Sequence, residues 1–310
     1  MTTPPTTDAY SMVTIERAQL PQQYEFGIQT TFGWGHSPFS PKLSDPNNPS
    51  DVAPRVLIEN QYTLDLGVFF GLSSFLSLAA IAPLAANSYN NDLVGQPIVV
   101  TAPTTMNPTG FPQTSGLYRG QQRQTVEISR AGLRDPRFAA KVRFYGSQHF
   151  EIGTLLEMTL PLGDRSAFMG EYNVTFRPKL LLGVMTSRLN FAVNLGAIVR
   201  PESTLYDPYT DALTLKSSHE LSWGAGATLF LHRMISLGAE GIGTVPIAGG
   251  GDPTALTASV LGTVYLRALE KWRLYIAGGG GLIGSSARNA DGRLLVGFSH
   301  SLSPREGGLR

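Results

Sequence analysis

Residues 137–163 read RFAAKVRFYGSQHFEIGTLLEMTLPLG, and they decide the fold because both halves alternate between polar and apolar positions. The charged side chains share one parity: Arg137, Lys141, Arg143, Glu151 and Glu157. The other parity carries large apolar side chains: Phe138, Val142, Phe144, Phe150, Ile152, Leu156, Met158, Leu160 and Leu162. A period of two indicates β-strands with one polar and one apolar face. We therefore predict a hairpin whose polar face meets water or a hydrophilic interior and whose apolar face meets lipid.

The register of this hairpin follows from the position of its turn. Folding it about Ser147 predicts three cross-strand pairs: Glu151 with Arg143, Gly153 with Lys141, and Glu157 with Arg137. Two of these pairs bring a carboxylate opposite a cation. Such charges would be costly inside a dry sandwich core, which favours a barrel with a hydrophilic lumen.

The same alternation returns along the rest of the chain. Further segments with this pattern are 24–35, 55–69, 75–84, 173–184, 190–196, 220–229, 235–247, 256–266, 272–283 and 293–302. Together with the hairpin they make about twelve strands of bilayer-crossing length. No stretch has the ~18 to 20 consecutive apolar residues of a membrane-spanning helix. We predict an all-β fold, a transmembrane antiparallel up-and-down β-barrel of about twelve strands, over residues 24–303.

The connections alternate between short and long. Longer ones follow the odd strands, at 37–54, 85–132, 164–172, 201–217, 248–255 and 285–292. This asymmetry is typical of outer-membrane barrels, which have short periplasmic turns and long extracellular loops. An even strand count then puts both termini in the periplasm, with 1–23 as a lead-in that contacts the lumen and 304–310 as a tail. The loop at about 85–132 is expected to fold over the mouth or to hold a small strand at 124–128.

Composition excludes several classes of protein. The 24 basic and 23 acidic residues give no concentrated positive surface, which argues against a nucleic-acid partner. The chain has no cysteine, so disulfides and thiol chemistry are excluded. The first twelve residues lack the basic leader and apolar core of a signal peptide, and we expect mature numbering with an added Met.

Several segments carry a family resemblance: DAYSMVTIERAQLP (8–21), IENQYTLDLGVFFGL (58–72), GLRDPRFAAKVRFY (132–145), LEMTLPLGDRSAFMGEYNVTFRPKLLLG (156–183) and FAVNLGAIVRP (191–201). Together they resemble the N-terminal β-barrel of the OmpA-like outer-membrane proteins of myxobacteria and related deltaproteobacteria. The resemblance implies a bacterial outer-membrane location. In that family a peptidoglycan-binding domain usually follows the barrel. This sequence departs there, since it stops at Arg310, and wall anchoring is therefore not carried over.

The charged residues expected in the lumen allow two interpretations. They are Arg137, Lys141, Arg143, Arg177 and Lys179, set against Glu151, Glu157, Glu59 and Asp65. In the first interpretation they line an open pathway and sort small polar solutes by charge. In the second they form pairs that fill and brace a closed barrel. Inward-facing glycines such as Gly153, Gly224 and Gly226 leave volume that either water or residues 1–23 would occupy.

The function that follows is a porin-like passive pathway for small solutes or an OmpA-like structural scaffold embedded in outer-membrane lipid. An alternative is a closed barrel whose long extracellular loops recognise a partner protein or surface glycan. A soluble β-sandwich binding module is the remaining possibility.

An enzyme is not expected, because the five histidines are scattered and no G-x-S-x-G motif is present. Oxygen-bearing residues in two loops, Asp45, Asn47, Asn48, Asp51, Asp207 and Asp211, lack the spacing of a calcium loop and are read as turn formers. We expect neither a metal nor a cofactor.

Overall fold

The computed structural model describes residues 5–39, 42–44, 52–54, 58–89, 99–101, 131–164, 169–170, 173–201, 203–206, 213–217, 219–247, 256–269, 272–283 and 290–302. Twelve of its strands form one barrel: β1 (Phe26–Phe39), β4 (Ile58–Gly71), β5 (Leu76–Tyr89), β8 (Arg137–Gly146), β9 (Phe150–Thr159), β10 (Thr175–Met185), β11 (Leu189–Ile198), β14 (Glu220–His232), β15 (Ile235–Pro246), β16 (Thr257–Leu269), β17 (Trp272–Ile283) and β18 (Gly292–Leu302).

The barrel closes on itself. Each of these strands pairs antiparallel with the barrel strands before and after it in the chain, and β1 pairs with both β4 and β18. Phe26, for example, lies opposite Phe70 on one side and Leu302 on the other. Closure leaves every strand with two hydrogen-bonded neighbours, as crossing a bilayer requires. The predicted all-β, up-and-down barrel of about twelve strands is confirmed.

Smaller strands lie in the long connections. Strands β2 (Lys42–Ser44) and β3 (Val52–Pro54) pair with each other, and β12 (Ser203–Tyr206) pairs with both β6 (Val99–Thr101) and β13 (Leu213–Ser217). Strand β7 (Ala131–Leu133) extends the barrel by pairing with β5. The small strand predicted at 124–128 lies outside the described residues. In the described part of the chain, no helix has the length and apolar character needed to cross a bilayer.

The two faces of the barrel differ sharply. Large apolar side chains stand exposed on the outside of nearly every strand, including Ile28, Phe32, Leu66, Phe138, Leu156, Leu180, Phe191, Val264, Ile276 and Val296. Alternate positions on the same strands are buried and carry polar groups, including Thr31, Thr63, Asp65, Lys141, Glu157, Asn194, Glu240 and Ser299. An apolar exterior around a polar interior is the reverse of a soluble protein and is the arrangement of a barrel that spans a membrane.

The register predicted for the central hairpin is wrong by two residues as far as Arg143 and by three residues beyond it. In the structure Glu157 lies opposite Ala139, Gly153 opposite Arg143 and Glu151 opposite Gly146. The turn centres between Gln148 and His149, with the Ser147 N–H donating to the Phe150 carbonyl at 2.8 Å. A bulge between Arg143 and Tyr145 then moves the register of the remaining pairs. Before the bulge, the shift of two residues keeps each side chain on its predicted face but changes its partner.

Of the two predicted ion pairs, one forms and the other does not. Arg137 still reaches Glu157, along a diagonal, with 3.4 Å between Nη1 and Oε2. Arg143 does not reach Glu151 and instead donates from Nη2 to the Ser74 carbonyl at 2.7 Å, in an exposed position near the short turns.

Candidate functional site

Residues 5–20, called here the N-terminal segment, lie inside the barrel. Strand β1 starts at the end with the short turns, where the Tyr24 N–H donates to the Gly71 carbonyl. From this end the N-terminal segment extends into the lumen. Most of its side chains are buried: Thr6, Thr7, Asp8, Ser11, Met12, Val13, Thr14, Ile15, Glu16, Arg17, Ala18 and Leu20. The lumen is therefore filled largely by a separate stretch of chain.

The N-terminal segment doubles back on itself. The Thr6 N–H donates to the Val13 carbonyl at 2.9 Å, and the Met12 N–H donates to the Ile15 carbonyl at 3.0 Å. Asp8 stabilises the bend between them by accepting from the backbone N–H of Tyr10 at 2.9 Å and of Ser11 at 3.1 Å. The bend brings Asp8 and Glu16 to the same part of the lumen.

Lys141 on β8 is the main ionic contact between the barrel and the N-terminal segment. Its Nζ lies 2.6 Å from Asp8 Oδ2 and 2.7 Å from Glu16 Oε2, and it also donates to Ser11 Oγ at 3.2 Å. The side chain of Lys141 is only 2% exposed, so all three of its donor protons are used inside the lumen. A lysine buried this deeply depends on these acceptors, since an unpaired buried charge is strongly unfavourable.

Glu240 on β15 holds the N-terminal segment from another side. Its carboxylate accepts from the backbone N–H groups of Val13 at 2.9 Å, Thr14 at 2.6 Å and Ile15 at 3.1 Å. It also accepts from the hydroxyl of Thr14 at 2.7 Å and from that of Tyr265 at 3.1 Å. Three consecutive donors aimed at one carboxylate give the bend a fixed position in the barrel.

Further polar contacts are spread around the lumen. Asn194 bonds the backbone of Glu16 twice, accepting from its N–H at 2.8 Å and donating to its carbonyl at 2.7 Å. Arg17 Nε pairs with Glu151 Oε1 at 3.0 Å, which gives Glu151 a partner other than the predicted Arg143. Arg273 donates to two carbonyls of the segment, Ala9 at 2.6 Å and Ser11 at 2.5 Å. The contacts therefore come from strands on several sides of the barrel.

The inward-facing glycines make room for the N-terminal segment. A Cβ added at Gly224 would lie 2.5 Å from Ile15 Cδ1, and one at Gly226 would lie 2.6 Å from Met12 Sδ. A Cβ at Gly153 would lie 3.0 Å from that of Ala18. Any larger side chain at these positions would displace the segment or its side chains.

Two groups of the N-terminal region have shifted pKa values. Burial alone would raise the pKa of Glu16, but attraction to Lys141 and Lys179 and the hydrogen bonds from Lys141 and Thr7 outweigh it and lower the pKa. The pKa of Tyr10 is raised by burial and by its hydrogen bond to Glu25. Glu16 is therefore held ionised and Tyr10 held neutral at pH 7.

The residues predicted to line the lumen occupy several kinds of position. Five are buried among inward-facing groups: Asp65, Arg137, Lys141, Glu151 and Glu157. Arg177 and Lys179 are half-buried on β10. Glu59 is half-buried at a bulge between Ile58 and Asn60, and Arg143 lies near the short turns. Most of these residues therefore belong to one region on β8, β9 and β10.

One carboxylate in this region of β8, β9 and β10 pairs with two arginines. Glu157 Oε1 lies 3.0 Å from Arg177 Nη1, and Glu157 Oε2 lies 3.4 Å from Arg137 Nη1. Arg137 Nη2 lies 4.0 Å from Asp65 and has no hydrogen-bond partner, although the Arg137 side chain is only 5% exposed. Arg177 Nε is likewise buried without a hydrogen-bond partner.

Several lumen residues were missed among the predicted site residues: Asp8, Glu16, Arg17, Asn194, Glu240, Tyr265 and Arg273. Glu240 had a sequence signal, since it is the one charged residue of β15 and has inward parity. The three charged residues of the N-terminal segment had none, because residues 5–20 show no strand or helix period.

Two small cavities lie between the N-terminal segment and the barrel strands. A cavity of about 20 Å³ is lined by Pro5, Thr14, Trp34, Gln61, Asp65 and Arg293, among others. A second, of about 10 Å³, lies beside Asp8, Arg273 and Tyr275. Volumes of this size hold about one water molecule each.

Among the described residues, no group of three or more His, Asp or Glu side chains is placed to bind a metal. The six loop residues considered for calcium lie outside the described ranges.

Comparison with known proteins places the fold. No family model matches the sequence, and no curated protein sequence matches it. Among solved structures, an outer membrane channel from Pseudomonas putida F1 aligns with a TM-score of 0.59 at 11% identity, over 92% of this chain and 97% of that chain. The KdgM porin aligns with a TM-score of 0.47 at 10% identity, over 89% of this chain and 99% of that chain. The translocator domain of the autotransporter NalP from Neisseria meningitidis gives 0.46 at 11% identity, over 91% of this chain and 90% of that chain. The first of these likenesses shows that the chain has the barrel fold of a known outer-membrane channel.

Proposed function

We propose that this protein is a bacterial outer-membrane barrel that provides a passive, porin-like pathway for small polar solutes and is closed at rest by its N-terminal segment. The observation that carries the proposal is the way the lumen is filled. The plug is a separate stretch of chain, joined to the barrel at the start of β1, and not a set of side chains rooted in the strands. A pathway closed in this way opens when that stretch leaves.

The exterior supports the location. Exposed apolar side chains lie on all twelve barrel strands and need a hydrocarbon environment. The bacterial outer membrane is the bilayer in which closed β-barrels of this kind are found. The similar structure from Pseudomonas putida F1 is itself an outer membrane channel. Lipid and small polar solutes are then the expected partners, and the role is non-catalytic.

The chemistry of the contacts makes release of the segment feasible. Lys141, Glu240, Asn194, Glu151 and Arg273 hold it through ion pairs and hydrogen bonds. Water can replace each of these bonds, so the net cost of separation is far below the sum of the contacts. Once the segment leaves, the inward glycines leave a water-filled space bounded by polar side chains.

A disulfide lock tests the proposal. Ile15 Cγ1 lies 3.2 Å from the Cβ position of residue 226, so the sulfur of a cysteine at 15 would be within bonding reach of a cysteine at 226. The chain has no other cysteine, so the variant I15C/G226C contains a single possible bond. In planar bilayers we expect conductance steps from the reduced variant and silence from the oxidised one, with return of the steps after reduction.

Two single-cysteine variants, I15C and G226C, are the controls, and oxidant should leave their conductance unchanged. Equal conductance of the double variant before and after oxidation would contradict the proposal, because ions would then pass while the segment is locked in place. Unboiled gel mobility in SDS checks that the barrel is folded in every sample.

A second candidate function is a closed scaffold, in keeping with the resemblance to OmpA-like proteins. The buried ion pairs of Glu157 with Arg137 and Arg177 favour it, because they brace one wall internally. Silence of the I15C/G226C variant in both redox states would favour the scaffold. A role of the extracellular loops in recognising a partner protein or glycan is tested separately, by trimming the loop at 85–132 and measuring surface binding.

A further inference from the structure

Basic side chains are concentrated on one wall of the lumen, formed by β8, β9 and β10. Lys141 and Lys179 both lie opposite Leu155, one on each side of it. The next inward row, toward the long loops, pairs Arg177 with Glu157, and the row after that pairs Arg137 with Thr159. Four cations thus stand on three successive inward rows with one carboxylate among them, and we call this set the basic wall.

The N-terminal segment supplies the missing negative charge. Asp8 and Glu16 both direct a carboxylate oxygen to Lys141 Nζ, at 2.6 and 2.7 Å. Both side chains are buried, at 4% and 1% exposure, so their charges are placed in the lumen and not in solvent. When the segment leaves, Lys141 loses these two acceptors and Ser11 Oγ together.

The basic wall also holds a donor that the segment does not satisfy. Arg137 Nη2 is buried without a hydrogen-bond partner, and the Pro5 carbonyl reaches only Arg137 Nη1, at 3.3 Å. Arg137 Nη2 can therefore donate a charge-assisted hydrogen bond to the carboxylate of an incoming anion.

On the other side of the lumen, two cations lie close to carboxylates. Glu240 has Arg273 in its neighbourhood, since Arg273 lies 4.3 Å from the ring of Tyr265 and Tyr265 donates to Glu240. Arg200 and Glu220 form an ion pair with each other. The basic wall, by contrast, has four cations against Glu157 and, 4.0 Å from Arg137 Nη2, Asp65.

We propose that the basic wall is a binding track for small organic anions, carboxylates above all, and that Asp8 and Glu16 occupy it as an internal mimic of that cargo. The inference rests on the proposed function, since it names the solutes that the opened lumen selects. A solute carboxylate bonds Lys141 where Asp8 and Glu16 now do, and is passed along Lys179, Arg177 and Arg137. Anions thus compete with the segment for its own binding site.

The test uses the full-length variant D8N/E16Q in planar bilayers. This variant lacks the two carboxylates that occupy the basic wall. Under a potassium chloride gradient we expect the reversal potential to show a several-fold preference for chloride over potassium. Added succinate is expected to reduce the chloride current by occupying the track. The variant D8N/E16Q/K141Q/K179Q is expected to conduct with its anion preference and its succinate block both lost. The matched control, D8N/E16Q/R188Q/R233Q, removes two cations from short turns outside the lumen and should keep both properties.

The outcomes separate the two proposals. A conducting D8N/E16Q barrel without anion preference, or one whose preference survives K141Q/K179Q, overturns the anion track and leaves the plugged pathway standing. A folded D8N/E16Q barrel that stays silent, while reduced I15C/G226C also stays silent, overturns both. Conduction with anion preference that depends on Lys141 and Lys179 supports both.

Discussion

Lys141 Nζ lies 2.6 Å from Asp8 Oδ2, although 133 residues separate the two in the chain. The pair joins the middle of the hairpin strand β8 to a stretch that has no regular secondary structure of its own. Together with Glu16 it links the closed state of the lumen to a few buried charges.

Replacing Lys141 by Met should release the N-terminal segment. Asp8 and Glu16 would remain buried without a cation, which costs about 3–5 kcal/mol when one partner of a buried pair is removed. Arg17 is a trypsin site that is buried in the closed lumen. We expect its cleavage in the folded barrel to become about 10²–10⁴ times faster, because the rate follows the population of the open state. Arg233→Met, in an exposed turn, should leave the rate unchanged.

Replacing Gly226 by Val should also displace the segment, for a steric reason. The added atoms would overlap Met12 Sδ and approach Glu240 Cγ, which lies 3.1 Å from the Cβ position. Overpacking of this kind costs about 1–3 kcal/mol, and we expect a matching increase in open-channel probability in bilayers. Gly262→Val is the matched control, since its Cβ position meets only the Gly278 carbonyl, at 3.9 Å. Equal conductance of the two variants would argue against contact between Gly226 and the segment.

Acidification should open the barrel through Glu16. Because its folded pKa is lowered, its ionised form stabilises the closed state above the pKa of an ordinary glutamate, ~4.3, and this stability is lost as pH falls through the lower folded value. The groups facing its carboxylate are Lys141, Thr7 and Ser11, with Lys179 nearby. We expect conductance to rise as the pH falls below ~4.3. Glu16→Gln should conduct more than the unmodified chain at pH 7 and change less on acidification; an unaltered pH profile in that variant would refute the assignment.

A charge placed on the outer face should be destabilising in proportion to its depth. Val264 is exposed near the middle of β16, and Leu302 is exposed at the end of β18. Arginine at the bilayer midplane costs about 2–4 kcal/mol, and about 0–1 kcal/mol near the interface. We therefore expect Val264→Arg to reduce the folding stability in lipid vesicles much more than Leu302→Arg. Similar small losses in both variants would mean that the middle of the barrel does not contact hydrocarbon.

The sequence by itself determined the strands and their faces. Polar and apolar side chains alternate with a period of two, as at Arg137, Phe138, Lys141 and Val142, and the pattern recurs in each strand. Strand count and the alternation of short and long connections follow from this local information, and the predicted segments agree with the observed strands to within a few residues at most of their ends. Closure depends in addition on the pairing of β1 with β18, which joins the two ends of the chain.

Only the tertiary structure decided which charges meet. A shift of two residues between β8 and β9 leaves every side chain on the same face, so periodicity cannot distinguish Glu157 opposite Arg137 from Glu157 opposite Ala139. The position of the N-terminal segment had even less local signal, because it is held by Lys141, Glu240 and Asn194 from distant strands. A local pattern records the medium that each face meets, whereas the partner of a buried charge depends on how distant strands come together around it.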